Sequence, residues 1–112
     1  MAGFCIIIQP KAGVKYEDVI AARAEAAQAL MQRELQPMDT LSVATKYTDD
    51  IMDRMGIASR ECFAMSELLR MMSMCRAAYV CRGWKKDPES ARLKAAAEWF
   101  GLEIIEADNA AR

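Results

Sequence analysis

Residues 77–105 decide the fold. They read Ala77-Ala78-Tyr79-Val80-Cys81, then Arg82-Gly83-Trp84-Lys85-Lys86-Asp87-Pro88-Glu89, a helical stretch through Phe100, and Gly101 before Leu102-Glu103-Ile104-Ile105. The first run is apolar throughout, as in a strand covered on both faces of a parallel sheet. Asp87-Pro88-Glu89 is a helix start: an Asp cap, Pro at the first helical position and an acid in the first turn. Leu93, Ala96, Ala97 and Phe100 fall at i, i+3, i+4 and i+7, which predicts one packed face. Gly101 stops the helix, and residues 102–105 form a further strand. The chain from Glu106 on reads as a frayed tail.

Working back from this unit, Phe4-Cys5-Ile6-Ile7-Ile8 is a second short apolar run and predicts another buried strand. Gln9-Pro10-Lys11-Ala12-Gly13 breaks it. A long helix is predicted from Tyr16 to Leu35, with Glu17 and Asp18 in its first turn and a stripe of Ile20, Ala24, Ala27, Leu30 and Met31; Pro37 follows it. Residues 41–47 read as a strand, and Thr48-Asp49-Asp50 as the cap of a short helix ending at Gly56. A helix over Ser59–Met74 carries a stripe of Cys62, Met65, Leu69 and Met72, with Leu68 and Cys75 beside it. Met71 and Met74 fall off that stripe, so a second apolar face is in view, either as core or as a protein contact. Strands alternating with helices give a single α/β domain over residues 1–112. Its expected architecture is a small parallel sheet flanked by helices, a flavodoxin- or Rossmann-like three-layer sandwich.

Composition narrows the function classes. The chain has 112 residues, with 54% hydrophobic and 28% charged. The net charge is −1, from 15 Lys and Arg against 16 Asp and Glu, which argues against bulk nucleic-acid binding. There is no histidine, so His-based triads, His general bases and His metal ligands are excluded. Cys5, Cys62, Cys75 and Cys81 lack CxxC spacing, so neither a zinc site nor a redox motif is indicated, and buried free thiols are expected. The longest apolar runs, Phe4–Ile8 and Ala77–Cys81, fall short of a membrane span, Phe4–Ile8 is too short for a signal peptide, and a cytoplasmic protein with no cofactor is the expectation.

In parallel α/β sheets, ligands bind where strand C-termini meet helix N-termini. Two loops qualify, residues 9–15 and residues 82–89. Trp84 offers a flat face to a ring. Lys85, Lys86, Arg92 and Lys94 surround one helix N-terminus, which favours anions. Together these suit a nucleotide, with Gly83 for the turn and Ser90 at the helix start. Sequence chemistry alone favours the plainer reading, in which Trp84 packs on the core edge and the lysines form a solvated face. Gln9, Pro10 and Gly13 belong to the other loop, which lacks both GxGxxG and GxxxxGK[ST].

The segment Met71-Ser-Met-Cys-Arg-Ala-Ala-Tyr-Val-Cys-Arg-Gly-Trp84, the following helix and Phe100-Gly-Leu-Glu-Ile-Ile-Glu106 resemble the nucleoside 2-deoxyribosyltransferase-like superfamily. The likeness is to its small phage and bacterial branch of unknown function. Ile8-Gln9-Pro10 with Gly13, Tyr47-Thr48-Asp49-Asp50 and Ser66-Glu67-Leu68-Leu69 add to it. The resemblance implies a homo-oligomer and a pocket in which a Glu, early in the last helix, attacks an anomeric carbon and displaces a base. Aligning Arg92-Leu93 with the family's Arg-apolar pair puts Lys94 at the nucleophile position. Cations at Lys85-Lys86 replace the family's Glu-Asn. The family reading is therefore a degenerate enzyme that binds a nucleotide or a nucleotide-derived signal, in the host cytoplasm if the chain is phage-encoded. In that reading Trp84 stacks on the base, Lys85, Lys86, Arg92 and Lys94 hold phosphate, and Gln9, Pro10 and Gly13 border the sugar. One alternative is an active N-glycosidase or deoxyribosyltransferase using Asp49, Asp50 or Glu89, with a Lys94 nucleophile as a further variant. Another is a protein–protein adaptor acting through the Met-rich helix.

Overall fold

A computed structural model describes residues 3–107, apart from the side chains of Ala44 and Thr45. Its elements are β1 (Gly3–Ile8), α1 (Tyr16–Met31), β2 (Leu35–Pro37), α2 (Ser42–Lys46), α3 (Asp49–Arg54), α4 (Arg60–Met72), β3 (Ala77–Val80), α5 (Pro88–Trp99) and β4 (Glu103–Glu106). A short 3-10 turn over Trp84–Lys86 precedes α5. The four strands form one parallel sheet in the order β2-β1-β3-β4. This is an α/β fold with a small parallel sheet flanked by helices, and its order matches the start of the flavodoxin-like arrangement.

Cys5–Ile8 of β1 and all of β3 are buried because helices cover both faces of the sheet, whereas Phe4, at the start of β1, is exposed. Cys5, Ile7, Tyr79, Cys81 and Ile105 meet Ala26 and Leu30 of α1 on one face. Ile6, Ile8, Ala78 and Val80 meet Leu68 and Met72 of α4 and Leu93 and Ala97 of α5 on the other. Helix–sheet–helix layering follows. Asp87 caps α5 as its sequence predicts, accepting from the Ser90 amide at 3.0 Å, with Pro88 opening the helix. Gly101, at φ +80°, takes the left-handed conformation that ends it.

The structure corrects several expectations. Residues 41–47 do not form a strand: 42–46 are helical, and the second strand is Leu35–Pro37, inside the stretch expected to be helix. Glu34 causes the early break. Its φ of 57° lies in the left-handed region, so α1 cannot run on to Leu35. Pro37 is tolerated because β2 is an edge strand. The buried stripe of α1 is Val19, Ala26 and Leu30, whereas Ile20 and Met31 are exposed. On α4, Leu68 and Met72 are buried, Met65 and Leu69 half-buried and Cys62 exposed. Phe100 lies outside the α5 core face, 67% exposed. Glu106 belongs to β4 and Ala107 is buried, so the chain is ordered past the expected fraying point; residues 108–112 lie outside the described residues. All four cysteines are free, but only Cys5 and Cys81 are fully buried. Among the described residues, no helix is long and apolar enough to cross a membrane.

Candidate functional site

The loops after β1 and β3 meet at the C-terminal edge of the sheet. Gly83 adopts a φ of +82°, and a Cβ there would lie 3.6 Å from the Pro10 ring. The Lys11 ammonium reaches across to Glu89 Oε1 at 3.4 Å. These two contacts join the loops into a ridge with a cavity on either side. Of the site candidates singled out from the sequence, six are divided between these two cavities and seven line neither.

The smaller cavity, about 410 Å³, opens on the α1 side. Pro10, Gly83 and Lys86 line it together with Ala12, Val14, Asp18, Ala22, Glu25, Tyr79, Cys81, Arg82, Asp87 and Ala107. Much of its polar lining is already engaged. Asp87 Oδ2 accepts from the Ser90 amide and from the Ser90 hydroxyl at 2.7 Å, and Arg82 lies 3.9 Å from Glu25.

The larger cavity, about 650 Å³, lies on the α4–α5 side. That volume falls within the range of small-molecule sites, roughly 300–1,000 Å³. One wall is apolar and aromatic: Leu41, Val43, Tyr47, Met52, Phe63, Met65 and Leu68. Tyr47 and Phe63 meet edge to face with centroids 4.9 Å apart. The other wall is charged, with Lys11, Glu89 and Arg92 contributed by the β1 loop and α5, and Asp49, Arg60 and Glu61 by α3 and α4. Arg60 pairs with Asp49 at 3.0 Å and with Asp53 at 2.7 Å. Arg92 has no ion pair among the described residues and carries an uncommitted guanidinium.

The remaining sequence candidates sit elsewhere. Trp84 is half-buried against the α5-side core and lines neither cavity. Lys94 Nζ lies 4.6 Å over its ring and Lys85 Nζ 5.7 Å, while Lys94 also pairs with Glu98 at 2.9 Å. This is a cation–π stack filled from within the chain. Ser90 is fully buried and bound to Asp87. Gln9 is buried too, donating to the Val19 carbonyl at 3.0 Å and accepting from Arg23 at 3.1 Å. Gly13 and Asp50 line neither cavity; Asp50 pairs with Arg54 along α3. Of the four catalytic candidates, only Glu89 and Asp49 share a cavity.

Sequence reading missed the Arg23 cluster and the aromatic wall. Arg23 reaches from α1 to Gln9 Oε1, to Thr40 Oγ1 at 3.0 Å and to the Met38 carbonyl at 3.0 Å, fixing the segment that leads into the larger cavity. Burial lowers its pKa from the ordinary arginine value. A charged residue on an otherwise Ala-rich helix was the available signal. Tyr47 and Phe63 are 16 positions apart, and only the fold brings them together. Among the described residues, no group of three or more Cys, Asp or Glu side chains is placed to hold a metal ion. No protein-family model, curated protein or solved structure matches this chain.

Proposed function

We propose that the protein binds a nucleotide or nucleotide-derived small molecule in the larger cavity. The observation that carries this reading is the pairing of an aromatic wall, Tyr47 and Phe63, with a charged wall holding the free Arg92 guanidinium. A base suits the first and a phosphate the second. Its lining draws on the loops after β1 and β2, through Lys11, Thr40 and Leu41, and on the first turn of α5, through Glu89, the side of the sheet where such folds take ligands. The loop sequence around Gly83-Trp84, with its likeness to nucleoside 2-deoxyribosyltransferase-like proteins, supports the same class of ligand. Arg92 and Lys11 take the phosphate-facing role in this reading, and Trp84 and Lys94 are structural.

The test is incubation with a mixture of deoxynucleosides, nucleoside monophosphates, cyclic nucleotides and NAD, followed by ultrafiltration and mass spectrometry of the denatured retentate. An intact nucleotide enriched in the retentate supports binding, and an empty retentate contradicts it.

One observation favours a second reading. Glu89 and Asp49 line the same cavity, so a carboxylate could attack an anomeric carbon while a base departs from the sugar. Free base in the flow-through, abolished by Glu89→Gln or Asp49→Asn, would establish it. Base release unchanged in both variants would refute it.

A further inference from the structure

We propose that the larger cavity selects nucleotides with a single phosphate over di- and triphosphates. This deepens the nucleotide reading above and rests on it. Its basis is the charge balance of the lining. Six charged side chains face the cavity: Lys11, Arg60, Arg92, Asp49, Glu61 and Glu89. Four of them are consumed in ion pairs with one another, Lys11 with Glu89 at 3.4 Å and Arg60 with Asp49 at 3.0 Å. Arg60 is held further by Asp53. What remains is one cation, Arg92, and one anion, Glu61.

One guanidinium matches one phosphate group, which it can grip through two parallel N–H donors. A second or third phosphate finds no further free cation. It adds negative charge beside Glu61 in a lining whose six charges sum to zero. Recruiting Lys11 would require breaking its pair and leaving Glu89 as a bare carboxylate beside the incoming anion. The loops also lack the Gly-rich backbone cradle with which proteins wrap polyphosphates, since neither GxxxxGK[ST] nor GxGxxG is present. The cavity accommodates one phosphate and repels longer chains.

The experiment is a competition assay on the intact protein in magnesium-free buffer at fixed ionic strength. It uses the adenine, guanine, cytosine and uracil ribonucleotides, each as mono-, di- and triphosphate. The expected result is that the best monophosphate binds about tenfold more tightly than its triphosphate, a size consistent with charges a few ångströms apart near a protein surface. Glu61→Gln, at an exposed position, narrows that gap. A triphosphate binding as tightly as its monophosphate overturns the selectivity while leaving the nucleotide reading intact. A gap that Glu61→Gln leaves unchanged overturns the charge explanation. Binding of none of the twelve overturns the nucleotide reading and this inference with it.

Discussion

Lys11 Nζ stands 3.4 Å from Glu89 Oε1, an ion pair that bridges the loop after β1 to the first turn of α5. The loop after β1 and the start of α5 both lie where a parallel sheet exposes its strand ends. Both residues line the larger cavity and neither lines the smaller one. Everything proposed about function depends on which side of that ridge a residue falls.

Arg92 falls on the larger-cavity side and Lys94, two residues on, does not. Arg92→Glu should weaken nucleotide binding at least about tenfold, the cost of removing a charge-assisted contact of roughly 1.5–3 kcal/mol. Lys94→Glu should leave binding unchanged. Titration calorimetry of both variants separates the cavity reading from one centred on the Trp84 loop, which requires Lys94→Glu to weaken binding as well.

The fold was legible wherever a segment carried its own signal. β1 and β3 are unbroken apolar runs, and Asp87-Pro88 with Gly101 brackets α5 at both ends. β2 was not legible, because three residues cannot display an alternation and the helical spacing of α1 ran on to Leu35, with Pro37 read as its end. The β-branched residues of 41–47 imitate a strand, but 42–46 are helical and Leu35–Pro37 takes the place beside β1. For the candidate site, the sequence marked the two loops but not their mutual contact. Trp84 and its lysines looked like a ligand cradle in one dimension. In three, Lys94 occupies the ring face that a base would need.

Arg23 donates to Gln9, Thr40 and the Met38 carbonyl, and both Gln9 and Thr40 are buried. Arg23→Met should destabilise the protein by about 2–3 kcal/mol, since it orphans acceptors that water cannot readily reach. Urea denaturation followed by circular dichroism measures this. Unchanged stability would show that the cluster does not hold the segment after β2.

Leu93 is 4% exposed and packs between α5 and the sheet. Leu93→Ala should cost about 2–5 kcal/mol through lost burial and the cavity left behind. Phe100→Ala, at the neighbouring exposed position, should be near neutral. Equal effects in the two denaturation curves would contradict the assignment of the α5 core face.

The thiols provide a pH-dependent check. Burial pushes Cys81 up to about 11, and burial together with the neighbouring Cys75 pushes Cys5 up to about 12; burial alone lifts Cys75 to about 11. A native pKa above the ordinary value of 9.0 means that the folded protein holds those protons more tightly. The contribution to stability is complete below about pH 9 and is lost as pH rises toward 11. Urea midpoints should therefore fall between pH 9 and pH 11. At neutral pH a disulfide reagent should label exposed Cys62 rapidly, half-buried Cys75 slowly, and buried Cys5 and Cys81 only on unfolding.

The central claim is that a nucleotide occupies the larger cavity. Amide chemical-shift mapping during titration with a mixture of nucleoside monophosphates tests it most directly. The account predicts saturable shifts at Lys11, Thr40, Tyr47, Phe63 and Arg92, with Asp18 and Glu25 of the smaller cavity unmoved. Shifts confined to Asp18, Glu25 and Lys86, or no shifts at all, would contradict it.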